Sequence, residues 1–159
     1  MLSAGAKAPG FTLTDISGKK HTLGEILERG PVLLVLYKIS CPVCQLTMPY
    51  LERIAKSGEK NRGTLQVIGV SQDDERGTQR FLKTHALTMP TLLDREEDGY
   101  RVSNAFGISH VPSLFLVETD GTISLARDGF VKRDLEAIGR RAGVPPFHAE
   151  DHVPEWKAG

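Results

Sequence analysis

The chain's only two cysteines, Cys41 and Cys44, stand in the run YKISCPVCQLTMP with Pro42 and Val43 between them. Two thiols this close can join in a disulfide, and the thiolate of one can attack a disulfide elsewhere. That chemistry needs one sulfur held as an anion and a second within reach to release the product. PVLLVLYKI, just upstream, is a near-continuous apolar run of strand length, the pattern of a strand buried on both faces in a parallel sheet. From Val43 onward the period changes. Val43, Leu46, Thr47, Tyr50, Leu51, Ile54 and Ala55 recur at three- and four-residue steps, the stripe of an amphipathic helix. Cys41 therefore falls at the C-terminal end of a strand and the mouth of a helix. Pro42 takes the first helical position, where its missing N–H costs nothing. The free N–H groups and positive pole of the helix N-terminus favour a thiolate at Cys41. Cys44, one turn on, is placed to resolve a mixed disulfide. Two other readings compete: a pair of buried cysteines packing as small hydrophobes, and half of a zinc site completed by His148 and His152.

The remaining elements must build the frame for this pair. FTLTD and KHTL flank Ser17-Gly18 and predict a hairpin; GEILERG reads as a short helix closed by Gly30. The helix after the cysteines should stop at Gly58, and TLQVIGVS should return as a second buried strand, giving a right-handed βαβ unit. DDERGTQRFLKTHAL carries acids in its first turn, a helix start. MPTLLD reads as a short strand and GYRVSNAFGI as a short helix ending at Gly107. SLFLVETDGTISLARDGF predicts a hairpin turning on Asp120-Gly121 as a two-residue type I′ loop. VKRDLEAIGRRAGV closes the domain as a helix with Val131, Leu135, Ile138 and Ala142 on one side. Residues 1–143 thus form one domain. Residues 144–159 read as an extended Pro-rich tail, pinned by Phe147 or Trp156.

Composition narrows the function. At 159 residues the chain fits one domain with a real core. Lys+Arg and Asp+Glu both number 20, so the formal net charge is zero, which argues against a nucleic-acid or anionic-membrane footprint. No apolar run approaches the roughly 18 residues of a membrane span. MLSAGAKAPGF lacks the charged-then-apolar pattern of a secretory signal, so the sequence as written reads as cytoplasmic, or extracytoplasmic if a signal or anchor has been trimmed away. Two cysteines are too few for a disulfide scaffold.

The order of elements, the Cys-Pro-Val-Cys at the first long helix and HVPS before the strand LFLV resemble the thioredoxin superfamily. The opening AGAKAPGFTLTDISGKKHTL is similar to its TlpA/ResA-type oxidoreductases and peroxiredoxins, the AhpC/TSA redoxin branch. The likeness runs over most of residues 4 to 142. It implies an α/β thioredoxin-like fold: a central mixed sheet flanked by helices, with the N-terminal hairpin as an extension. It also implies a cis-proline facing the cysteines, which maps to Val111-Pro112. With Pro42 and Val43, that segment would line the groove where client backbone pairs with Val111. Pro49 should kink the long helix. The implied activity is thiol-disulfide exchange with protein disulfides, needing no cofactor beyond the Cys41–Cys44 pair. The implied partners are protein clients and a recycling reductase or oxidase, and a monomer is expected. This sequence departs from the family at three places: Ser40 replaces the usual Trp, Val35 a buried Asp, and Thr47 a Glu. Lys38, Tyr37 and His110 are the remaining candidate modulators. A thiol peroxidase is the alternative, with Cys44 in the peroxidatic position, but Pro112 stands where its Arg would lie. A metal-binding module is the third reading.

Overall fold

The computed structural model describes residues 1–60 and 65–159. Its centre is β3 (Val32–Tyr37), the apolar run upstream of the cysteines, with all six residues buried. Alternate side chains feed two cores. Leu33, Val35 and Tyr37 face the layer that holds Cys44, Met48, Leu51 and Ile54, while Val32, Leu34 and Leu36 face Ile26, Val102, Phe106 and Phe115. Burial on both faces explains why the run shows no polar alternation.

Around β3 the chain lays down β1 (Thr12–Asp15), β2 (Lys20–Thr22), β4 (Gln66–Ser71), β5 (Thr91–Leu93), β6 (Ser113–Val117) and β7 (Ile123–Asp128). The sheet order is β2-β1-β5-β4-β3-β6-β7. β3 runs parallel to β4 and antiparallel to β6, so the sheet is mixed. The helices α1 (Leu23–Glu28), α2 (Pro42–Lys60), α3 (Glu75–Thr84), α4 (Arg101–Ala105) and α5 (Lys132–Ala142) connect and cover it. The N-terminal hairpin is present. Asp15 closes its turn, accepting from the Ser17 hydroxyl and the N–H groups of Ser17 and Lys19, and pairing with His21 at 2.7 Å. These bonds, the Ser17 hydroxyl foremost, hold the Asp15 carboxyl well below the usual carboxylate range.

Two local expectations need correction. α2 does not stop at Gly58 but continues to Lys60. A glycine inside a helix costs about 1 kcal/mol, which packing of the helix can override. Thr64, the first residue of the expected second strand, lies outside the described residues. The β6–β7 loop has three residues, not two. The Glu118 carbonyl accepts from the Gly121 N–H, and the Glu118 N–H donates to the Thr122 carbonyl. Gly121 alone takes a left-handed φ of 87°, so the loop is a turn followed by a glycine bulge, and Asp120 keeps ordinary backbone geometry.

The chain after α5 folds back. Gly143 ends the helix with φ 78°. Phe147 then packs against the rings of Tyr50 at 4.8 Å and Phe130 at 6.0 Å. Arg53 on α2 donates to the Pro146 carbonyl at 2.8 Å and pairs with Asp151 at 2.6 Å. That guanidinium, helped by the His148 N–H, holds the Asp151 carboxyl down at about 2. Finally β9 (Trp156–Lys157) pairs antiparallel with β8 (Phe130–Val131). Phe147 is thus the side-chain pin. Trp156 is 63% exposed, and its segment is held through the main chain.

Candidate active site

Cys41 is the N-cap of α2. The first helical bond runs from the Gln45 N–H to the Cys41 carbonyl at 3.0 Å, with Pro42 at the first helical position as the spacing predicts. The Cys44 N–H donates to the Cys41 sulfur at 3.2 Å, so the sulfur occupies the place a capping hydroxyl would take. A hydrogen bond from a fixed N–H is worth more to an anion than to a neutral thiol. Cys41 is partly exposed, Pro42 exposed and Val43 half-buried, so these three residues form the accessible rim.

Cys44 is different. It is 0% exposed, in the core layer beneath β3. Burial pushes its thiol far above the ordinary thiol range, and the Cys41 sulfur and the Asp73 carboxylate push the same way, against the Lys38 backbone N–H. One sulfur sits at the surface with a donor aimed at it, and the other is kept protonated one turn behind. Both thiols are free.

Val111 and Pro112 reach the same place from the strand side. The bond between them is cis. The Val111 carbonyl oxygen lies 3.5 Å from the Cys41 sulfur. Pro112 is buried, and its carbonyl accepts from the Gly129 N–H at 2.8 Å.

The other candidates fall out separately. The Lys38 ammonium lies over the Tyr100 ring, 5.8 Å from its centroid; its backbone N–H is what bears on Cys44. His110 is exposed, with Nδ1 at 3.0 Å from the Ser109 hydroxyl and 3.6 Å from Asp128. Tyr37 is fully buried against Phe81, and burial keeps its phenol neutral. Thr47 is buried and donates to the Val43 carbonyl at 2.6 Å.

Two carboxylates matter that the sequence pattern does not single out. Asp73 accepts the Ile39 N–H at 2.8 Å and so fixes the loop leading into Cys41. Two consecutive acids follow β4, and Asp74 alone caps α3, through the Gly77 N–H. The spare acid, at the carboxyl end of the strand next to β3, was the available signal. Glu52, 4% exposed, accepts from the N–H and hydroxyl of Thr88 and from the Met89 N–H at 3.0 Å, tying α2 to the approach to β5. Nothing in the helical pattern distinguishes it from a solvated acid.

A mixed sheet with a Cys-x-x-Cys capping its first long helix, faced by a cis-proline, defines a thioredoxin-like dithiol protein. The AhpC/TSA family profile matches residues 4–126, and the chain belongs to that family. It is 27% identical to the thiol-disulfide oxidoreductase ResA of Geobacillus thermodenitrificans over 142 residues, covering 86% of this chain and 79% of that one. It is 31% identical to ResA of Halalkalibacterium halodurans, covering 79% and 69%. The thioredoxin domain of a thiol-disulfide oxidoreductase from Bacteroides vulgatus superposes with a TM-score of 0.76 at 22% identity, over 89% of this chain and 98% of that one. Among the described residues no helix is long and apolar enough to cross a membrane.

Proposed function

We propose that this protein is a thiol-disulfide oxidoreductase that exchanges electrons between its Cys41–Cys44 pair and the disulfides of protein clients. The observation that carries this reading is the asymmetry of the pair: an N–H is aimed at the accessible Cys41 sulfur, and the Cys44 thiol is buried. The Cys41 thiolate attacks one sulfur of a client disulfide. A Cys41–client bond forms, the client S–S bond breaks, and the released client thiolate takes a proton. Cys44 then gives up its proton and attacks the Cys41 sulfur, freeing the second client thiol and leaving a Cys41–Cys44 disulfide. Two electrons and two protons pass to the client. A second dithiol returns them, or, in the opposite direction, the disulfide form oxidises its partner. The dithiol is the only redox group required. Pro42, Val43, Val111 and Pro112 line the client's approach, and His110 borders it. Protein disulfides persist mainly outside the cytoplasm, so an extracytoplasmic workplace fits this reading.

The test is turnover of a disulfide-bonded protein such as insulin. The wild type should catalyse its reduction by dithiothreitol, and Cys41→Ser should not. Wild-type activity in Cys41→Ser would defeat the assignment. Rapid consumption of hydrogen peroxide would instead favour a peroxidase, a role to which a buried, protonated Cys44 is poorly suited.

A further inference from the structure

The surface beside Cys41 is not open on all sides. Residues 155–159 run along β8 and end on the Val111 carbonyl. The Lys132 N–H donates to the Glu155 carbonyl at 3.0 Å, and the ladder pairs Val131 with Trp156 and Phe130 with Lys157. Beyond the ladder the chain passes two positions without side chains. A Cβ at Gly129 would overlap the Lys157 carbonyl and lie 3.0 Å from the Gly159 nitrogen. A Cβ at Gly159 would stand 2.6 Å from the Val111 carbonyl oxygen and 3.1 Å from its carbon. Two main chains therefore touch where any larger residue would force them apart. The carbonyl that Gly159 covers is the one 3.5 Å from the Cys41 sulfur.

The two halves of the segment are held very differently. The near half is anchored to α2 by Phe147, by Arg53 with Asp151 and by the buried Pro146. The far half has a two-residue ladder, the Lys132 N–H bond to Glu155 and a solvent-facing Lys132–Glu155 ion pair at 3.5 Å, and residues 155–159 are all exposed. A short ladder that buries little apolar surface opens locally without global unfolding. Pro154 stands between the halves.

We infer that residues 155–159 form a built-in strap across the client side of the groove, and that an extended client segment reaches Cys41 by displacing this strap from Val111 and β8. The proposal rests on the thiol-disulfide reading above and assigns its regulation. The client class follows from the occupant: a segment in extended conformation, bonded through its main chain, with a small residue where Gly159 now lies. Such a segment pairs with a strand edge as the strap does. The fraction of molecules with the strap lifted scales the apparent affinity for clients.

Two variants of the full chain test this. Gly159→Val puts a side chain against Val111. Lys157→Pro removes the amide that, from the alternation of the ladder, bonds Phe130. Both should raise the rate of insulin reduction about fivefold through KM, while the rate with a small aromatic disulfide such as dithiobis-nitrobenzoate changes much less. In the Cys44→Ser protein, hydrogen exchange at Trp156 and Lys157 should speed up once a disulfide-bonded peptide is captured on Cys41. Wild-type kinetics in both variants, with unchanged exchange after capture, would overturn the strap. An inactive wild type would overturn the underlying activity, whereas an active wild type indifferent to these changes removes the strap alone.

Discussion

The Val111 carbonyl oxygen lies 3.5 Å from the Sγ of Cys41. These residues are seventy positions apart in sequence, and they meet because β6 lies antiparallel beside β3, whose C-terminal end leads into Cys41. A client main chain laid against Val111 would bring its own sulfur to the attacking one. The surroundings of Cys41 are therefore built from one strand end, one helix mouth and one proline loop.

The contrast in exposure fixes an order of reactivity. In a brief pulse of iodoacetamide at neutral pH, the reduced protein should be alkylated at Cys41 and not at Cys44, which is 0% exposed. Peptide mass mapping reads the outcome directly. Label appearing first on Cys44 would reverse the assigned roles.

Asp73 provides a charge test that leaves the loop anchored. Asp73→Asn keeps an oxygen to accept the Ile39 N–H but removes one of the influences, after burial and the Cys41 sulfur, that raise the Cys44 thiol. Resolution of the mixed disulfide should become faster, and its pH profile should move to lower pH. Stopped-flow release of the second client thiol measures both. A slower step would mean that Asp73 serves Cys44 as a proton acceptor rather than burdening it.

The buried Cys44 thiol also predicts how stability depends on pH. Its folded pKa lies above the unfolded value, so its contribution is complete below about pH 8.5, the unfolded cysteine pKa. As pH rises further, unfolded chains lose this proton while folded ones keep it, and stability falls by up to about 1.4 kcal/mol per pH unit. Urea unfolding of the reduced protein between pH 8 and 10 should show this slope, and Cys44→Ala should flatten it. Equal slopes in the two proteins would contradict a raised Cys44.

Glu52 is expected to support the frame without touching the chemistry. Glu52→Ala leaves the buried Met89 N–H and the half-buried Thr88 N–H without their acceptor, at a cost of about 1–3 kcal/mol. Glu52→Gln keeps one carbonyl oxygen and should lose less. Denaturant midpoints check the ranking, and insulin reduction below the transition should be unchanged in both variants.

Much of this was legible because the chemistry sits where local signals are strongest. The doubly buried β3, the switch to helical period at Val43 and Pro42 after Cys41 together predict the capped cysteine. The family likeness of HVPS predicted the partner loop. What stayed hidden depends on contacts distant in sequence. Asp73 looks like a second capping acid until β4 is placed beside β3. Glu52 looks solvated until the residues before β5 cover it. The β6–β7 turn departs from the two-residue expectation because Asp-Gly suits both a two-residue loop and the end of a three-residue one. Nor does the tail's pattern show that Gly159 would meet Gly129 and Val111, since three separate parts of the chain define that contact.

The most direct test of the central claim is capture of the intermediate. Cys44→Ser, mixed with a disulfide-bonded client, should accumulate a covalent adduct that maps to Cys41 and is released by dithiothreitol. The Cys41→Ser protein should form none. An adduct carried by Cys44 in Cys41→Ser, with nothing on Cys41 in Cys44→Ser, would contradict the account.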